Sequence, residues 1–136
     1  MDCVFCKIVA GTIPSFKVYE DAGTIAFMDI HPLTPGHLLV VPKRHVVNLF
    51  DADETLAADT MRVAARIAKS LPASLGVDSV NLLQANGAAA FQSVPHLHFH
   101  LIPRRAGDQA GFDWKLVPGD MAAIQGLAET VKRAIV

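Results

Sequence analysis

The stretch FQSVPHLHFHLIPRR, residues 91–105, sets histidines on every second position with apolar residues between them. Side chains at positions i, i+2 and i+4 of a β-strand point to one face of the sheet, so this spacing predicts a strand over residues 96–102. One face would carry His96, His98 and His100, and the opposite face would carry Leu97, Phe99 and Leu101. A lone histidine often decorates a half-exposed strand, but three in register indicate a functional face backed by a core.

The rest of the chain predicts further strands and two helices. Strand candidates are TIAFMDI (24–30), HLLVVP (37–42) and SVNLLQA (79–85). Apolar residues three or four apart predict a helix over residues 54–71, ended near Pro72, and a closing helix within 119–136. The apolar side of that closing helix would consist of Met121, Ile124, Ala128, Val131 and Ile135. Because prolines and a glycine reverse the chain between the first two candidates, the strands are expected to be antiparallel neighbours, which indicates an α+β fold.

Composition limits the domain count and the class of partner. With 136 residues, 51% of them hydrophobic, and a formal net charge of −1, the chain fits a single domain over residues 1–136. Lys and Arg form no run longer than a pair, so no nucleic-acid polymer is expected as partner. No signal sequence or membrane-spanning segment is predicted, and the default location is the cytoplasm. There the cysteines of Cys3-x-x-Cys6 would be reduced, as a metal clip or a redox pair.

Two kinds of chemistry suit the histidine face. Imidazole is a common metal ligand, so a metal-dependent hydrolase that uses the three histidines as ligands is one interpretation. No carboxylate lies close to them in sequence to complete such a centre. The other interpretation is a neutral imidazole that attacks phosphorus, with neighbouring histidines donating hydrogen bonds to phosphoryl oxygens.

The motif HLHFHLI (96–102) matches the H-φ-H-φ-H-φ-φ signature, with φ apolar, of the histidine triad (HIT) family. The blocks CVFCKIVAGTIP, VYED, IAFMDIHPLTPGHLLVVPKRH and NGAAAFQSVPHLHFHLIPR resemble the Hint-like, bacterial-type branch in its order, from residue 3 to about 105. The resemblance implies an antiparallel sheet of about five strands with one long helix and a C-terminal helix. A histidine at position 100, where the nucleotidyltransferase branch has glutamine, favours the hydrolases.

The resemblance also implies an activity. It predicts a nucleotide-binding hydrolase that acts on the α-phosphorus of nucleoside phosphoramidates or related nucleotidyl compounds, with a purine nucleotide as substrate. His98 would be the nucleophile and form a nucleotidyl-histidine intermediate, from which water releases a nucleoside monophosphate. His100 would contact phosphate oxygens, His37 would support the triad, and Ser93 would donate to the departing atom.

Further residues are assigned to the substrate by the same resemblance. Asp29 would accept hydrogen bonds from the ribose hydroxyls, and Asn86 and Gln92 would lie near the α-phosphate and the leaving group. The base would be surrounded by Phe5, Ile8, Phe27 and Ile30, which from their pattern alone would be core residues. Phe91 departs from the glycine that many relatives have, and it is expected to be unable to adopt the backbone angles that glycine allows.

The cysteine pair is assigned to a metal by resemblance. In bacterial-type relatives the corresponding residues bind zinc, which here implies Cys3, Cys6, His45 and His96 as ligands of one structural zinc per chain. A Cys₂His₂ set is complete for a closed tetrahedral site and leaves no open position for catalysis. A redox role has poor support, because the pair does not follow a strand at the start of a helix. The resemblance further implies a two-fold homodimer.

Three alternatives to the favoured hydrolase stay open. A dinucleoside polyphosphate hydrolase would use the same site on a different substrate. A metal-dependent hydrolase would use the triad as ligands. A nucleotide-binding scaffold would retain binding without catalysis.

Overall fold

A computed structural model describes residues 2–112 and 115–135. Its helices are α1 (Val4–Val9), α2 (Glu54–Ala68), α3 (Leu71–Leu75) and α4 (Met121–Ala134), and its strands are β1 (Lys17–Glu20), β2 (Thr24–Met28), β3 (Leu38–Pro42), β4 (Ser79–Leu83) and β5 (Phe99–Arg104). The strands form one antiparallel sheet in the order β1-β2-β3-β5-β4. The predicted α+β fold is confirmed. In the described part of the chain, no helix is long and apolar enough to cross a membrane.

The sheet separates two apolar cores. On one face, Leu38 and Val40 of β3 pack with Val63 and Ile67 of α2. On the opposite face, alternate residues of the same strands, with Leu39 as an example, pack around α1. All five residues of β3 are buried, as its continuous apolar run predicted. The helix α1 has six residues, too few for the apolar period to show in the sequence, and it was not predicted.

The histidine-rich segment joins the sheet later than predicted. The strand β5 begins at Phe99, so His96 and His98 lie just before it and the predicted boundaries 96–102 are wrong. The alternation of side chains nevertheless extends through this segment, because Leu97, Phe99 and Leu101 all enter the α2 core. Its backbone is anchored to the neighbouring loop, since the Leu97 amide donates to the Val46 carbonyl at 2.8 Å.

The predicted closing helix is present, but no other described element packs on its apolar side. Asp120 caps α4, because its Oδ1 accepts a hydrogen bond from the Ala122 amide. Ile124, Leu127 and Val131 on its apolar side are 49%, 65% and 57% exposed. No described residue of α4 is buried. The predicted end of this helix at Val136 lies outside the described residues.

The turn before His37 depends on Gly36. Its φ of +93° lies in the left-handed region, and a Cβ at this position would stand 2.5 Å from Leu75 Cδ1 and 3.2 Å from Pro103 Cγ. The turn is closed by the His37 amide, which donates to the Thr34 carbonyl at 3.1 Å. A side chain at Gly36 would therefore strain the backbone and push against α3.

We expect Gly36→Ala to lower the free energy of unfolding by about 1 kcal/mol or more, since strain and overpacking add. Urea unfolding followed by circular dichroism would measure the change. Gly23→Ala is the matched control, because Gly23 has ordinary φ and no atom within 4 Å of the added Cβ. Equal stability of the two variants would contradict the prediction.

Candidate functional site

The antiparallel pairing of β3 with β5 brings His37 and His100 together. Leu39 is paired with His100 in the ladder, and His37 lies two residues before Leu39. The Nε2 atom of His37 is 2.9 Å from Nδ1 of His100. The rings of His98 and His100 are 4.9 Å apart, so three histidines form a continuous row at this end of the strands.

The proton of His98 is placed by a backbone carbonyl. Nδ1 of His98 lies 2.7 Å from the His96 carbonyl oxygen, which can only accept a hydrogen bond. The proton of the neutral ring is therefore on Nδ1, and the lone pair of Nε2 is available. That is the tautomer that a nucleophilic imidazole requires.

The protons of His37 and His100 follow from a backbone amide. The Leu33 amide donates to His37 Nδ1 at 2.9 Å, so the proton of a neutral His37 is on Nε2. That Nε2–H donates to His100 Nδ1, which places the proton of His100 on its own Nε2. His98 thus offers a lone pair where its neighbour His100 offers an N–H donor.

Burial keeps these rings neutral. It is the main cause that lowers the pKa of His98, and the His96 carbonyl opposes the shift. It also lowers the pKa of His37, against the effect of the Asp29 carboxylate. Burial, followed by the neighbouring His98 and His37, lowers the pKa of His100 to about 4. All three imidazoles are therefore neutral at pH 7, and the proton positions above apply there.

Asp29 lies beside this row of histidines. Its Oδ2 is 3.5 Å from His37 Nε2, and its Oδ1 accepts a hydrogen bond from the His31 amide at 2.8 Å. The side chain of Asp29 is partly buried, whereas His31 is exposed. The carboxylate is thus oriented by the backbone and stays within reach of a ligand.

The apolar residues assigned to the base divide into two groups. Phe5 and Phe27 are buried, with ring centroids 5.4 Å apart, and the Phe5 ring meets the His98 ring edge-on at 5.2 Å. Ile8 is half-buried against the same core. Ile30 is 70% exposed. Phe5 therefore packs against His98, while Ile8 and Ile30 have surface available for a ligand.

The loop before the triad is tied to the loop after β3. Asn86 Oδ1 accepts a hydrogen bond from the Leu49 amide, and Gln92 Nε2 donates to the Val47 carbonyl. Ser93 follows Gln92 and is exposed. The polar residues assigned to the phosphate side thus lie on a loop that these amides anchor.

Phe91 corrects one expectation from the sequence. It has φ 62° and ψ 34°, so it adopts the left-handed conformation that it was expected to be unable to adopt. Its side chain is 91% exposed, which removes the steric conflict that a buried ring would meet there. The turn is closed by the Phe91 amide, which donates to the Ala88 carbonyl at 3.0 Å.

Cys3, Cys6, His45 and His96 form a compact donor cluster with all four ligand atoms within 4.8 Å of one another. His96 Nδ1 is 3.4 Å from Cys3 Sγ, 3.6 Å from Cys6 Sγ and 3.1 Å from His45 Nδ1. The ligand atoms of a tetrahedral zinc site are about 3.3–3.7 Å apart, given the usual zinc–sulfur and zinc–nitrogen lengths. His96 Nε2 donates to the Pro42 carbonyl at 2.8 Å, so its Nδ1 lone pair faces the cluster. The donors therefore fit a zinc ion.

A second cluster of Asp29, His37 and His100 is equally compact but has the wrong proton arrangement for a metal. A metal would need lone pairs on His37 Nε2 and His100 Nδ1. The Leu33 amide places a proton on His37 Nε2, between those two nitrogens. Loss of this proton would turn His37 into an imidazolate. Moving the proton to Nδ1 would leave the Leu33 amide facing another N–H, and an unsatisfied donor of this kind costs about 1–3 kcal/mol. This cluster is therefore suited to hydrogen bonding.

Sequence reasoning missed the groups that orient the histidines. The Leu33 amide and the Pro42 carbonyl are backbone groups, which have no signature in the sequence. Asn48 was also missed, although a lone amide in the apolar run VVNLF (46–50) is a detectable signal. Asn48 is 8% exposed and bonds to Gln92.

Comparisons with known proteins agree with this geometry. The HIT domain family model matches residues 10–107. A Schizosaccharomyces pombe protein named adenosine 5'-monophosphoramidase hnt1 is 37% identical over 136 residues, which cover 99% of each chain. A crystal structure of a HIT family member from Bacillus subtilis has a TM-score of 0.92 and 36% identity, covering 100% of this chain and 99% of that one. A zinc-bound histidine triad family protein from Mycobacterium smegmatis has a TM-score of 0.79 and 38% identity, covering 96% and 98%.

The fold and the row of histidines define an α+β protein with a histidine-lined site. The chain belongs to the HIT family.

Proposed function

We propose that this protein is a nucleotide hydrolase that cleaves nucleoside phosphoramidates, or related nucleotidyl compounds, at the α-phosphorus. The observation that carries the proposal is the pair of complementary atoms on adjacent rings. His98 has a free Nε2 lone pair, and His100 has an Nε2–H donor. An attacking nitrogen beside a donor for the phosphoryl oxygens is what displacement at phosphorus needs.

The first half-reaction forms a bond between His98 Nε2 and phosphorus. The bond from phosphorus to the leaving group breaks, and the leaving amine takes a proton, for which Ser93 is the candidate donor. The substituted imidazole ring is positively charged, and its Nδ1–H faces the His96 carbonyl at 2.7 Å. That hydrogen bond therefore stabilises the intermediate as well as the tautomer of the free enzyme.

The second half-reaction consumes water. Its oxygen bonds to phosphorus, the phosphorus–nitrogen bond breaks, and one proton of the water returns to the Ser93 oxygen. Neutral His98 and a nucleoside monophosphate result. Asp29 is oriented by the His31 amide and stays available for the ribose hydroxyls. Asn86 and Gln92 hold the loop on the phosphate side. A purine base would meet Ile8 and Ile30, backed by Phe5 and Phe27.

The relatives support this substrate class. Yeast proteins named adenosine 5'-monophosphoramidase match 76% and 99% of the chain at 46% and 37% identity. A dinucleoside polyphosphate hydrolase would use the same attacking nitrogen on a phosphoanhydride. A scaffold without catalysis is disfavoured, because the nucleophile has the reactive tautomer. A metal-dependent hydrolase is disfavoured, because the three triad histidines do not converge on one point and His37 has a proton where a metal would bind.

We also propose that Cys3, Cys6, His45 and His96 bind one structural zinc per chain. The support is the near-tetrahedral spacing of their ligand atoms and the zinc-bound relative. The ion would cross-link α1 to the segment before β5. It would not act as a Lewis acid in the reaction. Reduced thiols suit the cytoplasm, which stays the predicted location.

A two-fold homodimer is the proposed assembly. The strand β4 is an edge of the sheet, and Leu82 and Leu83 on it are 42% and 39% exposed. The apolar side of α4 is uncovered, and an isolated 14-residue helix is marginally stable in water. Exposed apolar surface of this kind marks interaction sites. A second copy of the chain related by two-fold symmetry is the proposed cover for these residues.

His98→Gly should lower turnover of a nucleoside phosphoramidate by about a thousandfold or more, because the attacking atom is removed. Nucleoside monophosphate affinity, measured by titration calorimetry, should be largely retained. His31→Ala is the matched control, since His31 is an exposed histidine whose backbone contact survives the change. Turnover of His98→Gly within about tenfold of wild type would contradict the assignment.

Elemental analysis should find about one zinc per chain. The double variant Cys3→Ser, Cys6→Ser should lose zinc and melt at a lower temperature, because a small domain loses a cross-link between α1 and β5. Chelated protein that is still folded should retain turnover. If instead metal-free, folded protein is inactive until a divalent ion is added, the metal is catalytic.

Sedimentation equilibrium should give twice the 14.6 kDa chain mass for the wild-type protein. Leu127→Glu with Val131→Glu should weaken the dimer, because charges would be buried in an apolar contact. Gln125→Glu on the polar side of α4 is the control and should leave the mass unchanged. A monomeric wild-type protein would contradict the proposed assembly.

A further inference from the structure

A pair of amide side chains, of which Asn48 is buried and Gln92 half-buried, connects two loops beside the proposed nucleophile. Asn48 lies after β3 and is 8% exposed, and its Nδ2 donates to Gln92 Oε1 at 3.0 Å. Asn48 Oδ1 accepts a hydrogen bond from the Phe50 amide at 2.9 Å, which fixes the orientation of its side chain. Nothing in the proposed reaction uses Asn48, yet it is a polar side chain held almost out of water.

Gln92 uses its whole hydrogen-bonding capacity within the protein. Its Oε1 accepts from Asn48 Nδ2 and from the Gly87 amide at 2.8 Å, and its Nε2 donates to the Val47 and Val94 carbonyls at 2.7 and 3.1 Å. A primary amide has two donors and two lone pairs, so all four are satisfied. A backbone amide faces the oxygen and two carbonyls face the nitrogen, which leaves one orientation of the group. A hydrogen bond to substrate would have to displace one of these partners.

The partners of Gln92 lie on the segments that determine the position of His98. Val94 is two residues before His96, whose carbonyl accepts from His98 Nδ1. On the other side, Val47 follows Val46, whose carbonyl accepts from the Leu97 amide at 2.8 Å. The two loops are thus joined on both sides of the nucleophile, and the amide pair is the side-chain part of that connection.

We propose that Asn48 and Gln92 form a positioning bridge, in which Gln92 acts on His98 through the backbone and not by contact with the substrate. Asn48 is then a positioning residue as important as Gln92. The inference rests on the proposed function for its kinetic consequence. Loss of the bridge should let the segment around His98 shift, and a displacement of about 1 Å from attack geometry costs about a hundredfold in rate.

The test is a double-mutant cycle in the zinc-loaded, full-length protein. Asn48→Ala, Gln92→Ala and the double variant should each lower kcat on a nucleoside phosphoramidate by a similar factor, about tenfold or more, with KM little changed. Adenosine monophosphate should bind all three with wild-type affinity. Asn48→Asp keeps the acceptor for the Phe50 amide but replaces the donor to Gln92 with a charged acceptor that repels the Gln92 oxygen, so it should lower kcat at least as much as Asn48→Ala.

Asn81→Ala is the matched control, since Asn81 is a half-buried amide on β4 whose Oδ1 accepts from Arg104 Nη1, away from the histidines. It should lower stability without lowering kcat. The proposal is overturned if Gln92→Ala loses adenosine monophosphate affinity while Asn48→Ala does not, or if the two losses in kcat multiply in the double variant.

The experiment also separates failure of the bridge from failure of the proposed hydrolase function. Wild-type protein that turns over no nucleotidyl substrate overturns that function, and the bridge is then tested by the same cycle on the free energy of unfolding. Coupling between Asn48 and Gln92 supports the bridge, and additive losses overturn it.

Discussion

The hydrogen bond between His98 Nδ1 and the His96 carbonyl is the interaction on which the site depends. It places the ring proton on Nδ1 and leaves the Nε2 lone pair free. The opposite tautomer would set a lone pair against the carbonyl oxygen in a buried position, at a cost of about 1–3 kcal/mol. Because 1.4 kcal/mol is tenfold in population, this single contact keeps most molecules in the tautomer with a free Nε2 lone pair.

His96 is itself held from two sides. Its Nε2 donates to the Pro42 carbonyl at the end of β3, and its Nδ1 faces Cys3, Cys6 and His45. One residue therefore links the sheet, the N-terminal donor cluster and His98. Phe5, between the two cysteines in sequence, packs edge-on against the His98 ring at 5.2 Å. The short helix α1 and its N-cap residue Cys3 thus supply two of the four donors of that cluster, and Phe5 of α1 adds to the burial that lowers the pKa of His98.

The periodic features of the sequence predicted the fold well. Contacts between segments that are distant in sequence could not be predicted. The buried strand β3 and the helix α2 follow from apolar patterns within one element. The start of β5 was placed three residues too early, because the alternation of side chains continues before the ladder begins at Phe99. The α1 helix is too short to show a period. The left-handed conformation of Phe91 was excluded because of its residue type, although its cost of about 1–2 kcal/mol is small enough for the turn to impose it.

In the candidate site, too, residue types could be predicted from the sequence, whereas the groups that surround them could not. Histidine positions alone could not separate the proposed metal ligands from the proposed catalytic groups, since both clusters hold their donor atoms within 4.8 Å. Backbone groups make the distinction. The Pro42 carbonyl accepts a hydrogen bond from the Nε2–H of His96, so the lone pair of His96 Nδ1 faces the thiols. The Leu33 amide does the reverse at His37, so the proton lies between His37 and His100. Two similar groups of imidazoles, on or beside the paired strands β3 and β5, are therefore suited to different chemistry by one carbonyl and one amide.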